Sequence, residues 1–256
     1  VILSNGFRSP NIDDVGKIRE NKGQLIVPNP MLYPEYAYNF ELGLTKYLKK
    51  PNNYFSIQGY STLISRHIGR DFYTIFADKT TPNEKTIIYG GQEVITFSNN
   101  NLGDRYILGT SFDGNINFTK KISLKGNINI IEAFKNEKYG PLPSISPIFG
   151  NSELTFKKES WFASLRYQFS GKKNPEDYSL GGEDGLDETP VISLVDNIYA
   201  GTPAWSELSL LTQYQWSKKI YVRFGIDNIF DIHYRNFGSG ISSPGRNFKF
   251  GINVQL

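Results

Sequence analysis

The chain has no cysteine and only two histidines, His67 and His233, among its 256 residues. Without cysteine there is no disulfide, no thiolate metal ligand and no thiol nucleophile. The two histidines also lack the His-x-x-x-His or cysteine spacing that a metal site requires. We therefore expect neither a bound metal nor a cofactor.

Long apolar runs are missing as well. No segment approaches the roughly 20 apolar residues that a membrane-spanning helix needs, and the mean hydropathy is -0.39. The sequence starts at Val1 without an initiator methionine and without the basic and apolar parts of a signal peptide. These features predict a fragment of a longer chain, beginning within a strand.

Neither sign of charge dominates, and the motifs of common catalytic sites are missing. The 28 basic and 25 acidic residues are scattered, which argues against a nucleic-acid surface. There is no Gly-x-x-x-x-Gly-Lys segment, and residues 240–244 (GISSP) depart from the nucleophile-elbow pattern at their last position. We predict that the chain is not an enzyme.

What the chain does contain is strict alternation of apolar and polar residues. In residues 245–256 one register holds polar residues and glycine, and the other holds Phe248, Phe250, Ile252, Val254 and Leu256. The same period of two, typical of β-strands, recurs at 105–119, 122–130, 161–169 and 219–227. The apolar register of these five strands carries no charge, whereas the 21% charged content would place about five there.

The alternation predicts a membrane face rather than a dry core. A charge that faces lipid at the bilayer midplane costs roughly 2–4 kcal/mol, while the opposite register of a barrel tolerates polar residues. Further strands are predicted in five segments: 1–7, 36–48, 54–64, 151–157 and 208–216. Counting 94–119 as one strand, interrupted near 99–104, gives about ten strands of an all-β, antiparallel transmembrane β-barrel.

The connections alternate strictly between short and long. The short ones are at 49–53, 120–121, 157–160 and 217–218. The long ones are at 8–34, 66–92, 135–150, 171–204 and 228–244. Bacterial barrels place short turns in the periplasm and long loops outside the cell, so we predict location in the outer membrane.

Four segments appear in the order found in a known family. They are 6–11 (GFRSPN), 29–44 (NPMLYPEYAYNFELGL), 140–150 (GPLPSISPIFG), and 227–234 (DNIFDIHY) followed by Pro244-Gly245-Arg246. Within the second segment the matching positions are Pro34, Glu35, Glu41 and Gly43. Together they resemble the C-terminal part of TonB-dependent outer-membrane receptors. The chain departs from the family pattern at Pro28, where glycine is frequent, and at Leu256, where phenylalanine is usual.

The resemblance implies both a fold and a function. The fold would be a 22-stranded barrel, of which residues 1–256 form about ten C-terminal strands, with the early strands and the N-terminal plug domain outside this sequence. The function would be import of a scarce nutrient, most readily a ferric siderophore or another iron or metal complex, driven through a TonB box by the TonB complex. Implied partners are outer-membrane lipid, lipopolysaccharide, the plug, the TonB complex and the nutrient.

Candidate ligand-binding residues lie at the start of a long connection. Arg66, His67 and Arg70 are placed to meet an anionic ligand, which arginine binds in a bidentate manner. A solvated or lipopolysaccharide-facing cluster is the alternative interpretation. Loop 171–204 carries seven acidic residues against Lys172 and Lys173, which suits calcium. Its GGEDGLDE core, however, lacks the alternate-oxygen spacing of an EF-hand.

Aromatic residues at the strand ends suit an interfacial girdle, because an amphipathic ring favours the headgroup level. The candidates are Tyr36, Tyr54, Trp161, Trp205 and Trp216. Three other classes of protein remain open: a passive porin or channel, a barrel enzyme with clustered serine, histidine and acid, and a soluble β-rich binding module. The last of these predicts apolar registers packed in a dry interior.

Overall fold

A computed structural model describes residues 1–21, 23–73 and 85–255. Leu256, predicted as the last apolar position of the final strand, and residues 74–84 of the predicted connection 66–92 lie outside this description. The described strands are β1 (Ile2–Arg8), β2 (Arg19–Asn21), β3 (Gln24–Val27), β4 (Glu35–Tyr47), β5 (Tyr54–Ser65), β6 (Ile68–Phe72), β7 (Thr86–Tyr89), β8 (Gln92–Asn101), β9 (Arg105–Asn117), β10 (Ile122–Ala133), β11 (Phe149–Lys158), β12 (Trp161–Ser170), β13 (Val191–Ser193), β14 (Ile198–Tyr199), β15 (Trp205–Gln215), β16 (Ile220–Asp227) and β17 (Asn247–Val254).

Helical structure is confined to the long connections. The one-turn helix α1 (Ile12–Val15) is capped by the Asn11 side chain, which accepts hydrogen bonds from the backbone N–H groups of Asp13 and Asp14. Two single 3₁₀ turns cover Pro175–Asp177 and Leu186–Glu188. No helix in the described part of the chain is long and apolar enough to cross a lipid bilayer.

Ten strands form one large sheet in the order β1-β4-β5-β9-β10-β11-β12-β15-β16-β17. Every neighbouring pair is antiparallel. The count of ten and the antiparallel arrangement confirm the predicted fold class. The short connections β4–β5, β9–β10, β11–β12 and β15–β16 lie at one end of the sheet, and the long ones lie at the other.

The strand register places the apolar residues on one continuous face, called here the apolar face. Phe112 of β9 pairs with Ile57 of β5 on one side and with Ile128 of β10 on the other. Paired residues in adjacent strands point to the same side of a sheet. The apolar face is open, with Phe250 73% exposed. This is the face that the alternation predicted.

The buried apolar residues lie elsewhere. Among the described residues they are Leu25, Ile68, Val94, Phe97, Leu102, Leu142 and Tyr178, all outside the ten-stranded sheet. A soluble β-sandwich would instead bury the alternating apolar registers of its strands between two sheets. The absence of such a layer in the described residues argues against the soluble binding module.

The opposite face of the sheet is polar and internally hydrogen-bonded. Thr62 Oγ1 donates to Asn39 Oδ1 at 2.8 Å between β5 and β4. Ser111 Oγ donates to Asn129 Oδ1, also at 2.8 Å, between β9 and β10. These cross-strand bonds satisfy polar groups on a surface that is not packed by apolar side chains. A hydrophilic inner wall follows, as the sequence predicted.

A second sheet of five strands stands at the long-connection end. Its order is β2-β3-β8-β6, with β7 also paired to β8. The prediction of a single membrane strand over residues 94–119 was therefore wrong, because β8 belongs to this second sheet and only β9 joins the large one. Gly103 separates the two strands with a φ of 78°, a left-handed conformation that glycine adopts readily. The alternation of short and long connections favoured one strand here, and that alternation does not reveal that β8 leaves the large sheet.

Candidate ligand-binding site

A cavity of about 1210 Å³ opens at the long-connection end of the large sheet. One wall comes from β2, β3 and β6 of the five-stranded sheet. The others come from the connection between β12 and β15 and from the connection between β16 and β17. These two connections are the predicted long loops 171–204 and 228–244. The cavity therefore forms where four distant parts of the sequence meet, because β6 belongs to a different long connection from β2 and β3.

Three arginines line the cavity: Arg19, Arg70 and Arg235. Arg70 Nη1 donates to the carbonyl oxygen of Gly181 at 3.0 Å, and Arg235 Nη1 donates to that of Glu188 at 2.9 Å. Each bond uses one donor of a guanidinium group that has five. The two bound arginines are thus held in place and retain donors for a ligand with carboxylate, catecholate or carbonyl oxygens.

The aromatic part of the lining is a stacked pair. The rings of Trp205 and Tyr234 have centroids 4.1 Å apart and planes inclined by 24°. Trp205 is the first residue of β15 and pairs with Ser170 of β12, so its position is set by the rim of the large sheet. Tyr234 comes from the connection between β16 and β17. The stack joins this connection to the rigid sheet beneath it.

A buried ion pair supports the wall of the cavity. Lys173 Nζ lies 3.3 Å from Asp184 Oδ2 and donates to the carbonyl oxygen of Ile145 at 2.7 Å. Asp184 Oδ1 accepts the backbone N–H of Ser144 at 2.7 Å. The ammonium group also sits 4.0 Å above the ring of Phe237. Burial lowers the pKa of Lys173 below its usual range, and the charge of Asp184 partly opposes that shift.

A second polar contact lies beside the ion pair. The hydroxyls of Tyr178 and Thr202 are 2.6 Å apart and share a hydrogen bond across the connection between β12 and β15. Burial raises the pKa of Tyr178. Lys135 Nζ lies 2.8 Å from Asp177 Oδ1, and this hydrogen bond raises the pKa of the exposed Lys135. Lys135 thereby ties the connection after β10 to the same cluster.

The acidic residues of loop 171–204 are engaged with their own surroundings. Asp177 and Asp184 pair with lysines, as described above. Glu183 accepts hydrogen bonds from the backbone N–H of Arg70 and from the Ser179 hydroxyl. Asp196 accepts one from the Ser193 hydroxyl. Across the described residues, no group of three or more histidine, aspartate or glutamate side chains is arranged to hold a metal ion.

The predicted set Arg66, His67 and Arg70 is divided by the structure. His67 Nδ1 and the backbone N–H of Ile68 both contact Glu35 Oε2, at 2.9 and 2.6 Å, which fastens β6 to the start of β4. The Arg66 guanidinium lies 5.5 Å from the centre of the Tyr33 ring. Only Arg70 lines the cavity. A turn between β5 and β6 separates side chains that are neighbours in sequence.

The five aromatic residues predicted for a girdle lie on both faces of the sheet. Tyr36 and Trp161 lie on the apolar face by their pairings with Phe7 and Tyr214, and Trp216 continues that register two residues beyond Tyr214. Tyr54 pairs with Asn115 on the polar face. Trp205 also lies in the polar register and lines the cavity. The girdle assignment of the last two was wrong, because position near a strand end does not reveal the register.

Two residues that line the cavity, Arg19 and Arg235, were not singled out in the sequence. Each lies in a long connection among other polar residues, and nothing periodic marks either one. Tyr234 belongs to the segment 227–234 that carried the family resemblance, but no ligand role was assigned to it. Arg19 and Arg235 could be recognised only because they line the same cavity as Arg70. This shared position depends on how the three connections that carry these arginines fold over the sheet.

An antiparallel sheet with one open apolar face, one polar face, and long connections gathered at one end defines the β-barrel class of membrane proteins. A family model described as TonB dependent receptor-like, beta-barrel matches residues 3–229. The chain therefore belongs to the TonB-dependent receptor β-barrel family. This is a family of receptors and transporters of the bacterial outer membrane rather than of enzymes.

Several solved structures are similar over 98% of this chain, and the chain spans well under half of each of them. The copper transporter OprC shares 16% sequence identity, with a TM-score of 0.69 and 37% of its chain covered. The siderophore receptor PirA from Pseudomonas aeruginosa shares 14%, with a TM-score of 0.62 and 38% covered. A variant of the ferric enterobactin receptor PfeA from Pseudomonas aeruginosa, in complex with enterobactin, shares 16%, with a TM-score of 0.71 and 37% covered. These likenesses show the fold. No curated protein matches the chain.

Proposed function

We propose that this chain is the C-terminal part of an outer-membrane receptor that imports a scarce nutrient, a ferric siderophore or another iron or metal complex, with energy from the TonB complex. The observation that carries the proposal is the cavity between the long connections, with its three arginines, at the end of a barrel-family sheet. The copper and siderophore specificities of OprC, PirA and PfeA agree with this ligand class.

The geometry suggests a role for each part of the chain. The apolar face would contact membrane lipid, and the polar face would line the passage. The long connections would face outward, where they meet lipopolysaccharide and the ligand. Arg70 would bind an anionic ligand group with the guanidinium donors that Gly181 leaves free. Arg66 and His67 would act mainly by holding the rim beneath the five-stranded sheet.

The plug domain and the TonB box would lie in the preceding part of the whole protein, together with the remaining strands of a 22-stranded barrel. The family and the 37% of the OprC chain that is covered support this division. Traction on the plug would then open the polar passage. A passive porin is the second candidate, since it would share the sheet, its apolar face and its long connections.

Energy dependence separates these two functions. The intact gene would be expressed in a bacterial strain that lacks its own receptors, and uptake of radiolabelled ferric siderophores would be measured with and without a protonophore. Import at nanomolar ligand that stops when the proton gradient collapses supports the receptor. Uptake that continues unchanged after collapse of the gradient would establish the passive channel instead.

A matched pair of variants tests whether the ligand binds in the cavity. Ala204 lines it and is exposed, so Ala204→Trp adds an indole to the cavity without removing a side-chain contact. Ile241 belongs to a neighbouring connection, is 80% exposed and does not line the cavity, so Ile241→Trp is the control. We expect ligand binding to weaken by at least about tenfold in the first variant only, a cost of about 1.4 kcal/mol. Equal binding by both variants would place the ligand elsewhere.

A further inference from the structure

The four short turns of the large sheet share an unusual composition. Each contains two adjacent lysines. The term short-turn rim is used here for these turns with their flanking residues, which are 46–54, 118–122, 156–161 and 215–220. Its lysines are Lys46, Lys49, Lys50, Lys120, Lys121, Lys157, Lys158, Lys218 and Lys219. The rim contains a single carboxylate, Glu159. All nine lysines are exposed.

The charge of the chain is therefore segregated along the sheet. Of the 28 basic and 25 acidic residues, the short-turn rim holds nine basic residues and one acidic residue. The rest of the sequence is left with 19 basic and 24 acidic residues, an acidic excess. A near-neutral chain thus has one strongly cationic end. Nothing in turn formation requires lysine, because glycine, proline, asparagine and aspartate are the residues that turns favour.

These cations have few partners of their own. Within the described residues, no rim lysine forms an ion pair with a carboxylate. Lys50 Nζ donates to the backbone carbonyl oxygen of Phe118 at 2.7 Å, and in the described part of the chain this is the one hydrogen bond from the ammonium group of a rim lysine. Unpaired cations close together repel each other unless anions approach them. The rim is thus a surface suited to an anionic partner.

Aromatic residues next to the lysines indicate which partner this is. Phe55, Phe156 and Trp161 lie on the apolar face at the short-turn end, as their pairings with Gly114, Ala163 and Tyr214 show. Their side chains are between 38% and 56% exposed. Such rings favour the headgroup region of a bilayer. The same strand ends therefore carry both the aromatic level and the cations.

The register brings two lysines onto the lipid side itself. Lys46 pairs with Phe55, and Lys158 pairs with Trp161, so both lysines share the apolar face with these rings. A long lysine side chain at this level extends its ammonium group from the apolar belt toward the phosphates. An acidic protein approaching from the aqueous side would not need cations on the lipid-facing side. The placement of these lysines therefore favours anionic lipid over an acidic protein as the partner of the short-turn rim.

From these observations we infer that the short-turn rim binds the headgroups of anionic phospholipids in the membrane leaflet that surrounds it. The inference rests on the proposed membrane location of the sheet but not on the identity of the imported nutrient. Each basic residue near an anionic membrane surface strengthens binding about fivefold. The rim would therefore enrich anionic lipid around this part of the barrel and fix its depth in the bilayer.

The test measures lipid preference in the intact protein that contains this chain. The protein is inserted into vesicles of phosphatidylcholine with increasing phosphatidylglycerol, and quenching of tryptophan fluorescence by brominated forms of each lipid gives their relative binding constant. The rim variant is Lys120→Gln, Lys158→Gln and Lys218→Gln combined. A matched loop variant is Lys17→Gln, Lys138→Gln and Lys172→Gln, which removes three exposed cations at the opposite end. Arginine at the three rim positions is the charge-conserving control.

We expect a several-fold preference of the unmodified protein for phosphatidylglycerol, which is reduced in the rim variant because three of the nine rim lysines are removed, and which the loop and arginine variants keep. The preference should also shrink in 1 M salt, because screening weakens contacts between exposed charges. A preference that is absent from the unmodified protein, or that the rim variant keeps in full, overturns the inference while leaving import intact. A chain that fails to enter vesicles at all contradicts both the inference and the proposed function.

Discussion

Lys173 Nζ lies 3.3 Å from Asp184 Oδ2, and both side chains are only 3% exposed. The pair joins the end of β12 to the cavity wall, and through Ser144 and Ile145 it also reaches the connection between β10 and β11. A buried ion pair contributes little net stability when complete, but loss of one partner leaves a buried charge uncompensated. The pair is therefore a sensitive point in the assembly of the long connections.

Removal of one charge from this pair should loosen the cavity wall. In Asp184→Asn we expect the free energy of local opening to fall by about 3 kcal/mol, because Lys173 remains buried without a counter-ion. The chain has no cysteine, so a fluorophore on Val195→Cys, at a position 92% exposed, can report opening in urea. Asp196→Asn is the control, since this exposed acid lies in the same connection. Similar urea midpoints of opening for both variants would contradict the proposal that the ion pair stabilises the cavity wall.

Opening of the same cluster should depend on pH. Burial lowers the pKa of native Lys173, whereas in the open state it returns to about 10.4. Between these two values the open state binds more protons, so the free energy of opening rises with pH. Tyr178, whose pKa burial raises, contributes the opposite slope above about pH 10. We therefore compare the slope of the free energy of opening against pH in the unmodified protein and in Lys173→Met. The slope of the unmodified protein should be the more positive one. Equal slopes, or a smaller slope in the unmodified protein, would exclude a contribution of Lys173 to the pH dependence.

A charged residue on the apolar face should destabilise the protein. In vesicles, Phe112→Arg near the middle of β9 should lower the free energy of unfolding by about 2–4 kcal/mol, because the guanidinium would face lipid. Ser111→Arg, at the adjacent position on the polar face, loses only the hydrogen bond to Asn129 and should lower it by about 1 kcal/mol. Urea unfolding followed by tryptophan fluorescence measures both. Equal costs for the two substitutions would mean that the faces have been assigned incorrectly.

Gly109 should tolerate no side chain while Tyr60 is present. The two residues are paired between β9 and β5, and a Cβ built on Gly109 would lie 2.0 Å from the Tyr60 ring. We expect Gly109→Val to cost about 1–3 kcal/mol through this overlap. The cost should be smaller in a Tyr60→Ala background, with a coupling energy of at least about 0.5 kcal/mol. Gly43→Val, where no atom lies within 4 Å of the added Cβ, should be much milder.

Much of the large sheet was predictable because of its simple period. A strand with lipid on one side and water on the other must alternate, as Phe248, Phe250 and Ile252 do, and this requirement can be detected within a few residues. The error at β8 had a different origin. Residues 94–119 were joined because short and long connections alternate only if they form one strand, whereas Thr96, Phe97 and Ser98 are consecutive buried residues without a period of two.

The candidate site was predictable only in part. Arg70 was identified because it opens a long connection, yet Arg66 and His67 shared that property and lie outside the cavity. Trp205 was assigned to the membrane girdle, although the register of β15 turns it toward the polar face and onto Tyr234. A side chain's position in a loop sequence does not specify its direction. That direction depends on turns such as Arg66, which has a φ of 55°.

By itself the sequence determined the strands of the large sheet, the face of each of these strands that is apolar, and the end of the sheet that carries short turns. These properties are local, since each follows from neighbouring residues and from the solvent on either side of a strand. The tertiary structure alone decided that Lys173 meets Asp184 and Ile145, that β8 leaves the large sheet, and that four connections enclose one cavity. Such contacts join residues far apart in the chain, and their energies depend on distance and burial, which no periodic pattern records.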